Sequence, residues 1–173
     1  MIIETKRLIL RELNVGDARD FYDLNEDKEV LKYTGDVGFQ DVEEAKTFLS
    51  GYSDYKKNGY GRWAVVLKES GRFLGWCGLK LNEEGLVDLG YRFFRNEWGK
   101  GYATESAIAS LNYGFENLDL DDVIARSDRN NVASIKVIEK LGMEFWKNDE
   151  CKGISNAVYY RIDKQSYIEK VIR

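Results

Sequence analysis

Histidine and proline are both absent from this 173-residue chain, and cysteine occurs only twice. Without histidine there is no Ser-His-Asp or Cys-His catalysis and no His-ligated metal site, so no metal is expected. Any proton transfer must use a carboxylate, hydroxyl, amine, thiol or water. Without proline, turns rest on Gly, Asn and Asp. Cys77 and Cys151 are too few for a disulfide framework, and their separation matches no metal spacing. Cys77 lies in the apolar run Phe73 to Leu79, where a free cysteine reads as a small core side chain.

No stretch approaches the length of about eighteen apolar residues that a membrane helix needs. The opening Met1-Ile2-Ile3-Glu4-Thr5-Lys6-Arg7 lacks the apolar core of a signal peptide, so a soluble, cytoplasmic protein without a membrane partner is expected. The formal charge is −4. No dense Lys/Arg run marks a nucleic-acid footprint, which sets nucleic acid aside as a main partner. Hydrophobic residues make up 43% of the chain and aromatics 13%, enough to fill one sizeable core. With no internal repeat, low-complexity linker or break in composition, residues 1–173 read as a single domain.

Periodicity predicts a strand over residues 6–12, then a helix capped by Asp17 that carries Ala18, Phe21, Tyr22 and Leu24. Asp41, with Glu44 three residues on, starts a second helix expected to run to about Lys57. The segment from Glu29 to Phe39 reads as irregular. Three strand-like runs follow: Trp63 to Leu67, Phe73 to Leu81 and Leu86 to Phe94. The turns between them are short enough for antiparallel hairpins. After Gly101 comes a long helix with Ala103, Ala107, Leu111, Phe115 and Leu118 at helical spacing. Asp122 to Arg126 is a further strand. Asn131 opens another helix that Gly142 should stop. Met143 to Trp146 and Ala157 to Ile162 are two last strands, and Asp163 to Arg173 a closing helix. The fold class is therefore mixed α/β: one domain with a central, mainly antiparallel sheet of about six or seven strands, and helices on both faces.

The segment Arg95-Asn96-Glu97-Trp98-Gly99-Lys100-Gly101-Tyr102-Ala103-Thr104 lies between a strand and the long helix. That position suits an anion, because a helix leaves its first N–H groups unpaired and its dipole is positive there. Gly99 and Gly101 allow close backbone approach and positive φ, Lys100 adds a charge, and Thr104 a hydroxyl donor. A tight turn with close helix–strand packing would use the same glycines. Neither nucleotide fingerprint fits: Tyr102 follows Gly101 where a P-loop needs Lys, and Thr104 stands where the dinucleotide motif needs a third Gly or Ala.

Trp98-Gly99-Lys100-Gly101-Tyr102-Ala103 resembles the acyl-CoA pyrophosphate loop of the GNAT superfamily, Gln/Arg-x-x-Gly-x-Gly/Ala. The aromatic at its first position is similar to the branch of ribosomal-protein N-terminal acetyltransferases (RimJ/RimL-type). Asp88-Leu89-Gly90-Tyr91, Asn131-Val132-Ala133-Ser134, Glu139-Lys140-Leu141-Gly142-Met143 and the opening Thr5-Lys6-Arg7-Leu8-Ile9-Leu10-Arg11 resemble that branch in the same order. The resemblance spans nearly the whole chain. It implies a sheet that splays at its centre and acetyl-CoA (CoA) as cofactor. Backbone groups of Phe93 and Phe94 would pair with the pantetheine arm, and the loop from Trp98 and Gly99 to Thr104 would hold the pyrophosphate. Asn131 and Ser134 would face the pantetheine and thioester, although Asn131 also reads as an ordinary N-cap.

The resemblance further implies direct attack of a neutral amine on the acetyl thioester. Many relatives protonate the leaving thiolate from a tyrosine four residues before the last Gly, where this chain has Ile138. Ser134 is then the best remaining donor. Asp88 stands where many relatives carry a glutamate base; a solvent-exposed or arginine-paired carboxylate is the alternative reading. The implied reaction is acetyl transfer to a primary amine, either a protein or peptide N-terminus or a small molecule such as an amino acid, polyamine or drug. A non-catalytic acyl-CoA-binding module is the rival from another class, and monomer and homodimer are both open. The stretch from Glu26 to Phe39 and an expected loop from Lys147 to Asn156 should shape acceptor choice. Their acidic residues would suit a cationic substrate, or simply be solvated.

Overall fold

The computed structural model describes residues 2–151 and 153–171. A short strand β1 (Ile2–Glu4) turns back into β2 (Leu8–Glu12). Four helices follow: α1 (Ala18–Glu26), α2 (Lys28–Leu31), α3 (Val42–Gly51) and α4 (Asp54–Asn58). Asp41 caps α3 as expected, its carboxylate accepting the Glu44 N–H at 2.8 Å. The second helix does not run to Lys57 unbroken, because Tyr52 takes an extended backbone and a new turn starts at Asp54. Asp17 is not a side-chain cap. Asn14 caps a 3-10 turn there, and the Asp17 carboxylate is committed to Arg11 at 2.6 and 2.8 Å.

The three central strands are β3 (Arg62–Leu67), β4 (Phe73–Leu81) and β5 (Val87–Phe93), followed by the long helix α5 (Tyr102–Glu116). Then come β6 (Asp122–Asp128), α6 (Val132–Lys140), β7 (Glu144–Cys151), β8 (Ile154–Asp163) and α7 (Lys164–Val171). One open sheet contains all eight strands, in the order β1-β2-β3-β4-β5-β6-β8-β7. The strand beyond the expected number is β1, three residues at the sheet edge and too short to show a period. The loop expected from Lys147 to Asn156 is mostly a β7–β8 hairpin, with Gly153 at positive φ in its turn. Strand β7 is exposed along most of its length, so it carries polar residues and gives no apolar alternation to read.

Helices cover both faces because the central strands are buried on both. In β3, Trp63 and Val65 join the main core with Ala107, Leu111 and Phe115 of α5. The intervening Ala64 faces Phe21 and Leu24 of α1 and Leu49 of α3. Period-two alternation thus sends neighbouring apolar residues to opposite layers.

The sheet is antiparallel except at one seam. There β5 and β6 run parallel and pair only through Asp88 with Ile124 and Leu89 with Ala125. Beyond that point β5 continues along β4 to Phe93, and β6 continues along β8 to Asp128. The splay implied by the resemblance is therefore present.

Candidate active site

Alternation of the ladder decides which backbone groups the seam leaves open. The Phe94 N–H donates to the Leu74 carbonyl at 3.1 Å, so Phe94, and with it Arg92 and Gly90, directs its polar backbone towards β4. Tyr91 and Phe93 then point theirs towards the side that β6 has left. Of the expected pair Phe93 and Phe94, the Phe94 N–H is thus taken up by β4, and the edge that faces away from β4 belongs to Tyr91 and Phe93. Part of that edge is already used, since the Trp98 indole N–H donates to the Phe93 carbonyl at 2.9 Å.

The glycine loop has the geometry its sequence suggests. Gly99 and Gly101 sit at φ +75° and +83°, and a 3-10 turn at Arg95–Glu97 leads into them. Gly101 is the N-cap of α5 and provides no side-chain acceptor. The first intrahelical bond there runs from the Glu105 N–H to the Gly101 carbonyl, leaving the N–H groups of Tyr102, Ala103 and Thr104 without helical partners. A Cβ on Gly99 would meet nothing within 4 Å, so the approach to those donors is open.

Lys100 is not a free charge. Its ammonium donates to Glu97 Oε2 at 3.0 Å, and Arg72 holds the other oxygen of the same buried carboxylate. Burial acts to raise the Glu97 pKa, but the hydrogen bonds from Lys100 and Arg72 outweigh it and leave it below 4.5. A second cation comes from the chain's opening segment. Arg7 stacks on the Tyr102 ring at 4.6 Å, donates to Glu105 at 2.7 Å and donates to the Lys100 carbonyl at 3.0 Å. The motif containing Arg7 was legible, but its place beside α5 was not, because 98 residues separate Arg7 from Glu105.

On the other side of the seam, Asn131 caps α6 by accepting the Ser134 N–H at 3.2 Å. Ser134 stands in the first turn, and its Oγ lies 3.0 Å from the Tyr91 phenol oxygen. Tyr91 is the residue that sequence reasoning passed over, although it ends the quoted Asp-Leu-Gly-Tyr motif. Burial pushes its pKa well up, so the phenol stays protonated and acts as a hydrogen-bond donor.

Asp88 is buried and ion-paired, as the alternative reading of that residue describes. Its Oδ2 accepts from Arg126 at 2.6 and 2.9 Å, and Arg62 is 3.9 Å away. Asp88, Arg62 and Arg126 line one cleft of about 670 Å³ with Tyr91, Asn131 and Ser134, and Phe21, Phe39 and Phe48 line it as well. The segment around Gly35 reaches the Gly153 turn: a Cβ on Gly153 would lie 2.7 Å from the Gly35 carbonyl. The two regions expected to shape acceptor choice therefore meet over the cleft.

A splayed parallel seam, a glycine loop and a flanking helix are the features that the resemblance to the GNAT superfamily implies. Residues 7–144 match the family model described as an acetyltransferase (GNAT) domain, and the chain belongs to that family. An uncharacterised N-acetyltransferase, YnaD of Bacillus subtilis, is 32% identical over 96% of this chain and 99% of its own length. Another from Bacillus licheniformis, p20, is 33% identical over 81% of this chain and 80% of its own. A GNAT-family acetyltransferase structure from Bacillus anthracis superposes with a TM-score of 0.79 at 28% identity, covering 95% and 99% of the two chains. A spermidine N-acetyltransferase of Vibrio cholerae, solved with CoA and spermine, shares the fold at 0.79 and 18% identity, covering 95% and 99%. The chain is an acetyltransferase, and the non-catalytic alternative falls away. Among the described residues no helix is long and apolar enough to cross a membrane.

Proposed function

We propose that this enzyme transfers acetyl from acetyl-CoA to a primary α-amine. The observation that carries the proposal is the open seam, which places the free backbone edge of Tyr91 and Phe93 between the glycine loop and Ser134. The unpaired N–H groups of Tyr102, Ala103 and Thr104, with Gly99, Lys100, Gly101 and Arg7 around them, would hold the pyrophosphate. The N–H of Phe93 and both polar backbone groups of Tyr91 would bind the pantetheine as an added strand does. Trp98 braces that edge through the Phe93 carbonyl, and Asn131 orients α6 so that Ser134 faces the seam. Acetyl-CoA supplies an activated acyl group; the protein supplies position and charge.

Ser134 hydrogen-bonds the departing thiolate. The Tyr91 phenol lies 3.0 Å behind the Ser134 oxygen and keeps its own proton, because burial disfavours the phenolate. Asp88, ion-paired with Arg126, accepts the amine proton through water, and a carboxylate is by nature a weak base. A weak base favours the acceptor needing least deprotonation. An α-amine, with a pKa near 8, is far more often neutral at pH 7 than a lysine side chain. This supports α-amines, in a peptide N-terminus or a free amino acid, over ε-amines and polyamines.

The test is release of free CoA thiol from acetyl-CoA with peptides bearing free N-termini, N-blocked lysine peptides, free amino acids and spermidine. A higher specificity constant for α-amines is expected; a preference for the lysine peptide or spermidine would reject the α-amine reading.

A further inference from the structure

The cleft floor is cationic where it is buried. Arg62 of β3, Arg92 of β5 and Arg126 of β6 are 15%, 11% and 14% exposed at their side chains. Arg62 and Arg126 face one buried carboxylate, Asp88, at 7%. The other acids in reach, Asp36 and Glu83, are 55% and 61% exposed and hold their arginines from the solvent side. Arg92 and Arg126 each have a carboxylate within hydrogen-bond distance and Arg62 does not, which leaves one buried guanidinium in surplus in the cleft wall. An unpaired buried charge is costly, and a carboxylate brought by a ligand would relieve that cost.

Arg62 shows the surplus most directly. Its NH1 donates to the backbone carbonyls of Gly78 and Asp88, at 2.5 and 2.9 Å. Its nearest carboxylate is Asp88 at 3.9 Å, beyond hydrogen-bond distance and already held by Arg126. The guanidinium lies flat over Gly90, where a Cβ would come within 2.7 Å of it, beside Tyr91 at the seam. Arg62 and Arg92 also flank one ring, their guanidinium carbons 5.2 and 5.3 Å from the Trp76 centroid. Arg92 reaches out to the Asp36 carboxylate at 2.5 Å. Its other arm donates to the Asn25 amide oxygen, so groups of the chain itself occupy this fork.

Trp76 continues into the apolar cluster that includes Phe21 and Phe39, and the Phe21 and Phe48 rings stack with centroids 5.7 Å apart. The cleft thus offers a cationic floor beside the seam and an aromatic wall beyond it.

We propose that the acceptor is a free α-amino acid with an apolar side chain, its carboxylate received by Arg62 and Arg92 and its side chain by the aromatic wall. Asp36 stands in for that carboxylate on Arg92 when no acceptor is bound. The proposal rests on the acetyltransferase reading above and narrows it. A guanidinium fork matches a carboxylate two bonds from the reacting amine, whereas a polycationic acceptor would meet like charge.

The experiment compares acetylation of leucine, methionine and phenylalanine with their amides, with phenethylamine, and with dipeptides starting in phenylalanine, following thiol release. The free acids should exceed their amides by roughly 10- to 100-fold in kcat/KM, the range of charge-assisted hydrogen bonds. Asp36→Asn should lower KM for the acids several-fold and leave the amides unchanged, a gain that no misfolding produces. Arg62→Gln should erase the distinction between acid and amide, while the KM for acetyl-CoA stays put. Equal use of acid and amide, or a dipeptide above every free acid, overturns the proposal and leaves the acetyltransferase standing. No amine-dependent thiol release with any of these compounds would instead sink the reading on which it rests.

Discussion

The phenol oxygen of Tyr91 and the hydroxyl of Ser134 lie 3.0 Å apart, tying the last open strand of one half-sheet to the first turn of α6. Tyr91 also donates to the Ser134 carbonyl at 3.0 Å. With the phenol proton committed there, the Ser134 hydroxyl is the group free to swing its proton towards a new acceptor.

Ser134→Ala is expected to lower kcat by roughly 10- to 1000-fold while changing cofactor affinity little, because the hydroxyl matters most as charge builds on sulfur. Tyr91→Phe should cost only about 2- to 10-fold, the worth of one neutral hydrogen bond. Steady-state kinetics with CoA binding measured separately checks both. Full turnover in Ser134→Ala would assign the thiolate to water.

Asp88→Asn should reduce turnover less than Ser134→Ala but reduce the melting temperature more. Removing the charge leaves Arg126 and Arg62 desolvated with less compensation, and breaking a buried pair costs up to about 3–5 kcal/mol. Turnover falling further than in Ser134→Ala, with melting unchanged, would make Asp88 the principal base.

Saturating acetyl-CoA or CoA should stabilise the fold. At a hundredfold excess over the dissociation constant, linkage gives about 2.7 kcal/mol, or roughly 5–10 °C for a domain this size. Gly101→Glu should abolish the shift: it forces a side chain into φ +83° and puts a negative charge at the helix N-terminus. Thermal melts with and without cofactor decide it, and an unshifted wild type at millimolar cofactor would refute the loop assignment.

Acid should loosen the glycine loop through Glu97. Its pKa is lower in the folded protein than the ordinary 4.5, so on acidification the unfolded chain takes up this proton first. The stability it contributes is complete above the usual carboxylate range and is lost as pH falls below about 4.5 through the folded value. Glu97→Gln should flatten that part of the stability-against-pH curve in chemical denaturation, and an unchanged slope would count against the Lys100–Glu97–Arg72 cluster.

The elements that fill the core were legible because burial imposes a period: β4 and α5 fall close to where apolar spacing puts them, and Gly101 and Gly142 stop or start helices at positive φ. The polar β7 strand was not, since solvent asks for no alternation. The glycine loop and the Asn131–Ser134 pair could be read from contiguous motifs. The three cleft arginines could not. They lie on three strands separated by loops, and only the register of the sheet brings Arg62, Arg92 and Arg126 to one face.

At the seam, backbone bonding between the two half-sheets is confined to two residue pairs, Asp88 with Ile124 and Leu89 with Ala125. Elsewhere the strands are locked by ladders that fix spacing to a few tenths of an ångström. Across the seam the halves adhere through side chains of the shared core, Leu89 and Phe93 on one side and Val123, Ala125 and Ile138 on the other. Apolar contact resists separation but is indifferent to small sliding, because it is non-directional. The weakly bonded seam is therefore a compliant joint within the sheet, set where a long, thin ligand would have to slide in.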